Sequence, residues 1–499
     1  MKNIQKTIIK SFLLLSAMIL SSCNNDLDLE PEGELTASQL YKTEADAIAG
    51  VTAVYSALSF GPSGEQSLYG RNLYFLTDMA SDYAAAGASA SNPNVQAIST
   101  SSHDANNDRV DLAWKQIYKG INRANVAIDN IPKVTGSETL KQRLINEAKF
   151  IRALLYFDLV QLWGPVPLVL HEAESLDNSV LKADRKDTEI IYQQIISDLT
   201  AAEALPASYS GTDLGRATVG AAKALLSKVY LVRREWDKAQ QKAEEVINGG
   251  YGYDLFEDFG DAFRPATKNG KEHIFSIQFE LGQSGTGTGN TLPGVTFNGF
   301  TNVEPADIIS DTSLFYDIYD DDDTRKNVSY VKSLINPATG DLFTFLKPRF
   351  SKYIDYNLVN SGQSNSLAAM NFPVIRYSEV LLILAEAINE QSGPTTAAYD
   401  AINQVRRRAY NQPLYSPSPY DLTGLDQTTF REALQKERLL EFVQEGQRWF
   451  DLVRWGILVE SLKKVPAKAA GVSDRNYLFP IPQTQHDLNP TGLWQNPGY

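Results

Sequence analysis

The chain is almost devoid of cysteine and poor in histidine. Cys23 is the single cysteine among 499 residues, so no internal disulfide can form and the fold must rest on its packing alone. The four histidines are scattered and share no metal-ligand spacing. The composition therefore gives no indication of a metal or of any other cofactor.

Long apolar runs are also missing, with one exception at the N-terminus. There, a basic stretch with three lysines precedes the apolar run from Phe12 to Leu20, and small residues lead to Cys23. This pattern is typical of a secretory signal peptide, and it is too short for a permanent transmembrane helix. Leu20-Ser21-Ser22-Cys23 also fits the lipobox, where cleavage occurs just before a lipid-bearing cysteine. We predict a signal peptide over residues 1–22, lipidation at Cys23 and a solvated acidic tether over residues 23–34.

Basic residues are outnumbered by acidic ones, 46 to 60, which gives a formal net charge of −14. Loss of the three lysines before Cys23 makes the mature chain more negative still. An acidic surface argues against nucleic acid and anionic lipid headgroups as partners. Because 43% of the residues are hydrophobic, the chain can bury a large core without disulfides.

Apolar residues recur at helical spacing through most of the chain. Asn146 to Trp163 is apolar on nearly every face and predicts a buried helix. Residues 215–248 and 377–410 each predict two helices joined by a tight turn. Each of these hairpins has the 34-residue length of a tetratricopeptide (TPR) unit, which buries its apolar faces by stacking on neighbours. A third helical pair is predicted to open with a capping box, Thr429-x-x-Glu432.

The segment over residues 251–371 has a different character. It is rich in Gly, Asn, Asp, Thr and aromatic residues, with strand-like stretches such as His273 to Phe279. A segment of this length without helical periodicity indicates a functional insert. We predict a mostly α fold, a TPR-like helical array with a loop-rich subdomain that contains short β-strands. Residues 35–499 would form one domain, with the ligand-binding insert at about 251–371.

Three motifs have both a functional and a structural interpretation. Glu437, Glu441 and Glu445 could supply paired catalytic carboxylates, but their spacing beside Arg438 and Arg448 favours ion pairs on helices. The run from Asp320 to Asp323 lacks the ligand spacing of a calcium loop and favours solvated caps. Gly285-x-Gly287-x-Gly289 lacks the remainder of a phosphate-binding motif and favours a mobile loop.

An ordered series of motifs resembles the SusD/RagB family. It covers most of the mature chain, which makes it more specific than a single short pattern. The matching stretches are Ile151 to Val160, Gly164 to Leu168, Asn371 to Glu390, Ala401 to Ala409, Glu437-Arg438 with Glu445 to Gly456, and Tyr477 to Pro482 with Gln495 to Tyr499.

The resemblance implies a lipoprotein on the outer leaflet of the outer membrane. It would bind an oligosaccharide without catalysis and deliver it to a SusC-like, TonB-dependent transporter that faces its helices. Two alternatives remain open at this stage. One is an all-helical glycoside hydrolase or lyase, and the other is a TPR-like adaptor that binds a peptide or only the transporter.

The predicted ligand residues come from the segments that match the family least and from motif positions beside them. Sugars present C–H faces and hydroxyl groups, so a receptor needs aromatic rings beside amides and charged groups. Since most tryptophans fall within the helical motifs, tyrosine and phenylalanine are expected to supply the rings. The predicted ligand residues are Asp82, Tyr83, Asn92, Asn94, Phe297, Asn298, Phe300, Tyr316, Lys352, Asn371 and Arg376.

Overall fold

The computed structural model describes residues 40–59, 67–173, 182–281, 289–362 and 367–499. The predicted signal peptide, Cys23 and the acidic tether lie outside these ranges, as do Gly285 and Gly287 of the glycine-rich stretch. Within the described ranges, no helix combines the length and apolar character needed to cross a membrane.

Helices dominate the described chain, and the longer ones pack against their neighbours in sequence. Those before the predicted insert are α1 (Glu44–Ser59), α2 (Pro93–Ser99), α3 (Asp108–Asn130), α4 (Glu138–Trp163), α5 (Thr188–Ala202), α6 (Val219–Val232) and α7 (Trp236–Ile247). Those within it are α8 (Leu292–Thr296), α9 (Thr312–Phe315), α10 (Arg325–Ser329) and α11 (Tyr356–Asn360). Those after it are α12 (Tyr377–Ser392), α13 (Thr396–Ala409), α14 (Gln427–Glu441), α15 (Arg448–Arg454), α16 (Leu458–Lys463), α17 (Pro466–Ala469) and α18 (Gln483–Leu488).

In the described ranges the strands form four two-stranded antiparallel sheets, β1–β5, β2–β3, β4–β8 and β6–β7. Their bounds are β1 (Ala84–Ala86), β2 (Val166–Pro167), β3 (Arg185–Lys186), β4 (His273–Ile277), β5 (Asp307–Ile309), β6 (Tyr330–Ile335), β7 (Leu342–Phe350) and β8 (Phe372–Arg376).

Helix α4 is buried on nearly all sides, as its apolar sequence predicts. It begins at Glu138 rather than near Asn146, because the Ser137 side chain accepts a hydrogen bond from the third backbone N–H of the helix. Arg152, a polar interruption of the apolar pattern, is buried and donates two hydrogen bonds to Asp198 of α5, at 2.8 and 2.9 Å. Arg152 therefore links α4 to α5.

The two predicted hairpins are present and stack on each other. Helices α6 and α7 meet at a turn in which Arg234 has a φ of 59°, and α12 and α13 meet after Gly393 with a φ of 84°. Helix α7 packs against α12, so the apolar face of one hairpin covers that of the next. The predicted mostly α, TPR-like array is confirmed.

The capping box of the third helical pair lies three residues before its predicted position. Asp426 is the N-cap of α14, and its carboxylate accepts a hydrogen bond from the Thr429 backbone N–H at 2.8 Å. The Thr429 hydroxyl accepts one in return from the Asp426 N–H at 3.0 Å. The prediction of Thr429 as N-cap with Glu432 as its partner was therefore wrong, because an aspartate upstream caps the helix first.

The segment over residues 251–371 contains short elements only. Its described helices are no longer than five residues, and β4 falls where the sequence predicts a strand. Strand β8 pairs with β4 and continues directly into α12 at Tyr377. A short β-sheet therefore joins this segment to the second hairpin.

Among the described residues, apolar packing forms one large cluster and two small ones. The large cluster runs through the helical array. The second joins Tyr83, Phe350 and Leu440, and the third surrounds Phe297 and Phe345 on the β6–β7 hairpin. The third cluster lies entirely within the loop-rich segment, whereas the second packs that segment against the helices.

A network of charged side chains, all buried except the partly exposed Arg406, connects the loop-rich segment to the helices. Each member forms a salt bridge with at least one other, and carboxylates and cations balance five to five, which satisfies charges that would otherwise be costly to bury. This ion cluster comprises Glu272, Asp323, Glu437, Glu441 and Glu445 with Arg325, Lys352, Arg376, Arg406 and Arg408.

Glu441 lies at the centre of the ion cluster, among three arginines. Burial opposes its ionisation, but Arg408, Arg376 and Arg325 outweigh burial and hold its pKa well below the usual range. The carboxylates at 437, 441 and 445 are therefore structural, as predicted. Their partners differ from the prediction, because Arg438 pairs with Asp451 and Arg448 with Asp82 instead.

Candidate ligand-binding site

Tyr83 and Asp82, predicted as ligand contacts, are both buried. The Tyr83 hydroxyl donates a hydrogen bond to Asp78 and accepts one from the Gln444 N–H at 2.8 Å. Asp82 accepts two hydrogen bonds from Arg448, at 2.9 and 2.8 Å. Without exposed surface, neither side chain reaches a dissolved ligand. Both position the start of β1, and their assignment as contacts is corrected.

Lys352 and Arg376 belong to the ion cluster and are equally inaccessible. The Lys352 ammonium donates to a Glu445 carboxylate oxygen at 2.9 Å, and burial lowers its pKa to about 8. Arg376 donates two hydrogen bonds to Glu445, at 2.7 and 2.8 Å. Lys352 and Arg376 attach their segments to the turn after α14, so their assignment as ligand contacts is also corrected.

Phe297 and Asn371 complete the buried set. The Phe297 ring packs edge-to-face on Phe345 with ring centroids 6.1 Å apart. Asn371 accepts a hydrogen bond from the Phe279 N–H at 3.0 Å and donates one to Gln278 at 2.8 Å. Both residues support surface loops from beneath rather than forming a ligand surface.

The remaining five predicted residues keep partly exposed side chains, and ligand contact stays a prediction for them. Asn92 caps α2, and Asn94 follows in its first turn. Asn298 and Phe300 lie on the loop before β5. Tyr316 packs edge-to-face on Tyr330, with ring centroids 5.6 Å apart.

A solvent-facing cleft lies between the β5 segment and strand β7. It has a volume of about 170 Å³ and is lined by residues 302–305, 308, 309, 312 and 345–349. We call it the hairpin cleft. Val303 and Leu346 both line this cleft, and they are 56% and 78% exposed. Its walls therefore offer apolar surface to a ligand.

Arg349 fixes the loop that forms one wall of the hairpin cleft. Its guanidinium donates hydrogen bonds to the Asn298 side chain at 2.8 Å and to the carbonyls of Gly299 at 2.9 Å, Thr301, and Val303 at 3.2 Å. Burial lowers the pKa of Arg349 to about 10. A single side chain thus preorganises the loop of residues 298–303.

Polar groups on the rim are few and neutralised in pairs. Glu304 is the only carboxylate among the residues that line the hairpin cleft, and it accepts a hydrogen bond from the Lys347 ammonium at 2.7 Å. The Glu304 carbonyl also accepts a hydrogen bond from the Ser89 hydroxyl at 2.6 Å. This contact brings the loop before Asn92 against the cleft wall.

The acidic run at residues 320–323 is structural. Asp323 is buried and pairs with Arg325, while Asp320 and Asp322 accept hydrogen bonds from Tyr410 and Tyr420. In the described ranges, no group of three or more candidate ligands surrounds a common point where a metal could bind.

Sequence reasoning missed the residues that line the hairpin cleft. A partial signal was present in Leu346-Lys347-Pro348, because a proline within a strand confines that strand to the edge of a sheet. The pairing of residues 302–305 with this edge was not readable from the sequence, since nothing local encodes it.

The TPR-like helical array is a scaffold, and its loop-rich insert carries a preorganised cleft. This is the architecture of a binding protein. Two family models match the chain. One is described as the SusD family and matches residues 306–499. The other is described as starch-binding and associating with the outer membrane, and it matches residues 34–231. Together these matches cover well over half of the sequence, and the chain belongs to the SusD family.

Relatives and solved structures agree with this assignment over nearly the whole chain. SusD-like protein P2 of Formosa agariphila is 28% identical over 98% of this chain and 99% of its own length. A SusD homologue from Bacteroides thetaiotaomicron superimposes with a TM-score of 0.81 at 25% identity, covering 94% of this chain and 99% of its own. A laminarin-binding SusD-like protein gives a TM-score of 0.73 at 27% identity, covering 92% and 100%.

Proposed function

We propose that the protein is a non-catalytic cell-surface receptor that binds an oligosaccharide in the hairpin cleft. It would pass the glycan to a SusC-like, TonB-dependent transporter. The observation that carries the proposal is the exposed apolar surface of Val303 and Leu346, on a cleft whose loop wall is held at Val303 by an Arg349 hydrogen bond. The similar laminarin-binding protein supports carbohydrate as the ligand class.

The chemistry of the hairpin cleft suits a sugar ring. Its apolar side chains can cover weakly hydrated C–H faces, while Asn302, Glu304 and Lys347 offer hydrogen bonds to hydroxyl groups at the rim. Because Arg349 already orders the loop, little conformational entropy is lost on binding. A preorganised wall of modest size predicts recognition of a short stretch of a longer glycan.

The same geometry opposes glycoside hydrolysis at this cleft. Hydrolysis by the usual mechanism needs two carboxyl groups that flank the scissile bond. Among its described lining residues the hairpin cleft offers Glu304 alone, and Glu437, Glu441 and Glu445 are paired within the ion cluster. Release of product sugars from candidate polysaccharides would revive the enzyme alternative.

Anchoring and delivery are the other parts of the proposal. Lipidation of Cys23 would hold the receptor at the outer leaflet, and the helical array would face the transporter. Co-purification of a SusC-like protein with the native lipoprotein tests the partnership. An adaptor that binds only the transporter would co-purify equally well and bind no glycan.

Calorimetric titration against a glycan panel that includes laminarin tests the ligand class and the site. For the glycan that binds, replacing Val303 and Leu346 together by alanine is expected to weaken affinity about tenfold, or about 1.4 kcal/mol. Leu342→Ala is the matched control, since Leu342 lies on the same strand, is 63% exposed and does not line the cleft. Full affinity in the double variant, or an equal loss in Leu342→Ala, would place the site elsewhere.

A further inference from the structure

A second cleft lies where the helical array meets the start of the loop-rich segment. It has a volume of about 350 Å³ and shares no residue with the hairpin cleft. Its walls come from the α5–α6 connection, the chain after α7 and the approach to β4. We call it the tyrosine cleft, after Tyr209, Tyr251 and Tyr253, which line it together with Leu214 and Asn269.

Two of the tyrosine rings lie directly on glycine backbone. A Cβ at Gly249 would come within 2.3 Å of the Tyr251 ring, and a Cβ at Gly220 of α6 within 2.5 Å of the Tyr253 ring. The two rings are tilted against each other with centroids 6.0 Å apart. A side chain at either glycine would displace a ring, so the rings have fixed positions.

The polar groups of the side chains that line the tyrosine cleft form hydrogen bonds with neighbouring residues. The Tyr209 hydroxyl donates a hydrogen bond to Glu147 of α4 at 3.2 Å, and the Tyr253 hydroxyl lies 2.9 Å from that of Thr218. The Asn269 side chain exchanges two hydrogen bonds with the Gln278 amide, at 2.9 and 3.0 Å. Aromatic carbon and an oriented amide therefore remain to face the cleft.

The cations in the walls are matched by carboxylates. Arg216 lies 2.8 Å from Glu147 and 2.8 Å from Asp213, and Lys271 lies 2.9 Å from Glu257. These pairs leave little positive charge to attract an anionic ligand. Fixed aromatic surface, a neutral amide and balanced charge together favour a neutral polyhydroxylated ligand.

We propose that the tyrosine cleft is a second carbohydrate-binding site, which takes one or two neutral sugar units. The inference rests on the proposed function, because it gives a glycan receptor a second contact with its ligand. Its volume is near the lower limit of small-molecule pockets, about 300 to 1,000 Å³, so only a short part of a glycan fits inside it. Two weak sites that engage one glycan raise its overall affinity through effective concentration.

Filling the cleft tests the inference without removing any packed side chain. Ser208 is exposed and lines the tyrosine cleft, so Ser208→Trp places an indole within it. Ser210→Trp is the matched control, because Ser210 is exposed on the same connection and lies outside the lining. The probes are glucose, galactose, mannose and xylose, read by saturation-transfer NMR in the Val303→Ala/Leu346→Ala background.

In that background we expect saturation transfer to at least one sugar, retained with Ser210→Trp and lost with Ser208→Trp. Tyr251→Ala, which removes one ring without adding bulk, is expected to give the same loss. Undiminished transfer with both Ser208→Trp and Tyr251→Ala, or no transfer from any variant, would overturn the second site. The proposed function fails separately, when the Val303→Ala/Leu346→Ala change leaves binding of the panel glycan intact.

Discussion

Arg376 offers the sharpest test of the ion cluster. Its guanidinium reaches Glu445 through two hydrogen bonds, and it also contacts Glu441, Glu272 and the Ser378 hydroxyl. Arg376→Met keeps most of the side-chain volume and removes the charge. The variant leaves the cluster with one more carboxylate than cation, at a site where the Arg376 side chain is only 1% exposed.

Loss of one partner from a buried ion pair costs roughly 3 to 5 kcal/mol, because the remaining charge stays buried without compensation. We expect a loss in that range, which is a large part of the 5 to 15 kcal/mol by which domains are typically stable. Urea unfolding measures it as a lower midpoint with an unchanged m-value. Adding Glu445→Gln restores the charge balance and is expected to recover part of the loss.

Arg431→Met is the matched control for this prediction. Arg431 makes an equally short two-bond contact with Glu390, at 2.7 and 2.8 Å, but its side chain is 35% exposed. Because water screens that pair, we expect a loss of about 1 kcal/mol or less. Equal losses for the two arginine variants would refute the reasoning that burial makes the ion cluster costly to break.

Three further predictions concern a buried acid, the helical core and the anchor. Burial raises the pKa of Asp158 from 3.8 to about 7. Between these two pH values the folded chain holds a proton that the unfolded chain has released, so stability falls as pH rises from about 4 to about 7. Asp158→Asn should therefore gain stability relative to the wild type between about pH 4 and pH 7, by about 4 kcal/mol at most. A difference in free energy of unfolding between variant and wild type that does not change with pH would contradict this. Leu384→Ala, in the buried face of α12, should lower the free energy of unfolding by about 2 to 5 kcal/mol, whereas Leu439→Ala should cost less because its side chain is only partly buried. Cys23→Ala should release the protein from the membrane fraction, and unchanged labelling of the cell surface would exclude lipidation at that residue.

The helical array was predictable because its information is local. Apolar spacing, turn residues and the 34-residue length of the hairpins all lie within short windows, and α6, α7, α12 and α13 appear where these patterns place them. Helix starts were less predictable. Ser137 and Asp426 begin their helices earlier than the apolar pattern does, since a cap acts before the first apolar residue.

The candidate site was only partly predictable, because its geometry depends on contacts between distant segments. Tyr83 reads as a surface aromatic in a divergent loop, yet its partners Asp78 and Gln444 bury it. Lys352 and Arg376 read as charges near a loop, yet carboxylates from α14 and the turn after it enclose them. Exposure is a tertiary property, so residue type and divergence could not show which of these side chains are exposed.

Attachment of the loop-rich segment through the ion cluster has a consequence for engineering new binding specificities. The members of the ion cluster in this segment, Glu272, Asp323, Arg325 and Lys352, lie outside the β6–β7 hairpin that carries one wall of the hairpin cleft. Residues 331–348 can therefore be grafted from a relative without disturbing the attachment. Chimeric receptors built with this crossover should exchange ligand preference while keeping the thermal stability of the parent.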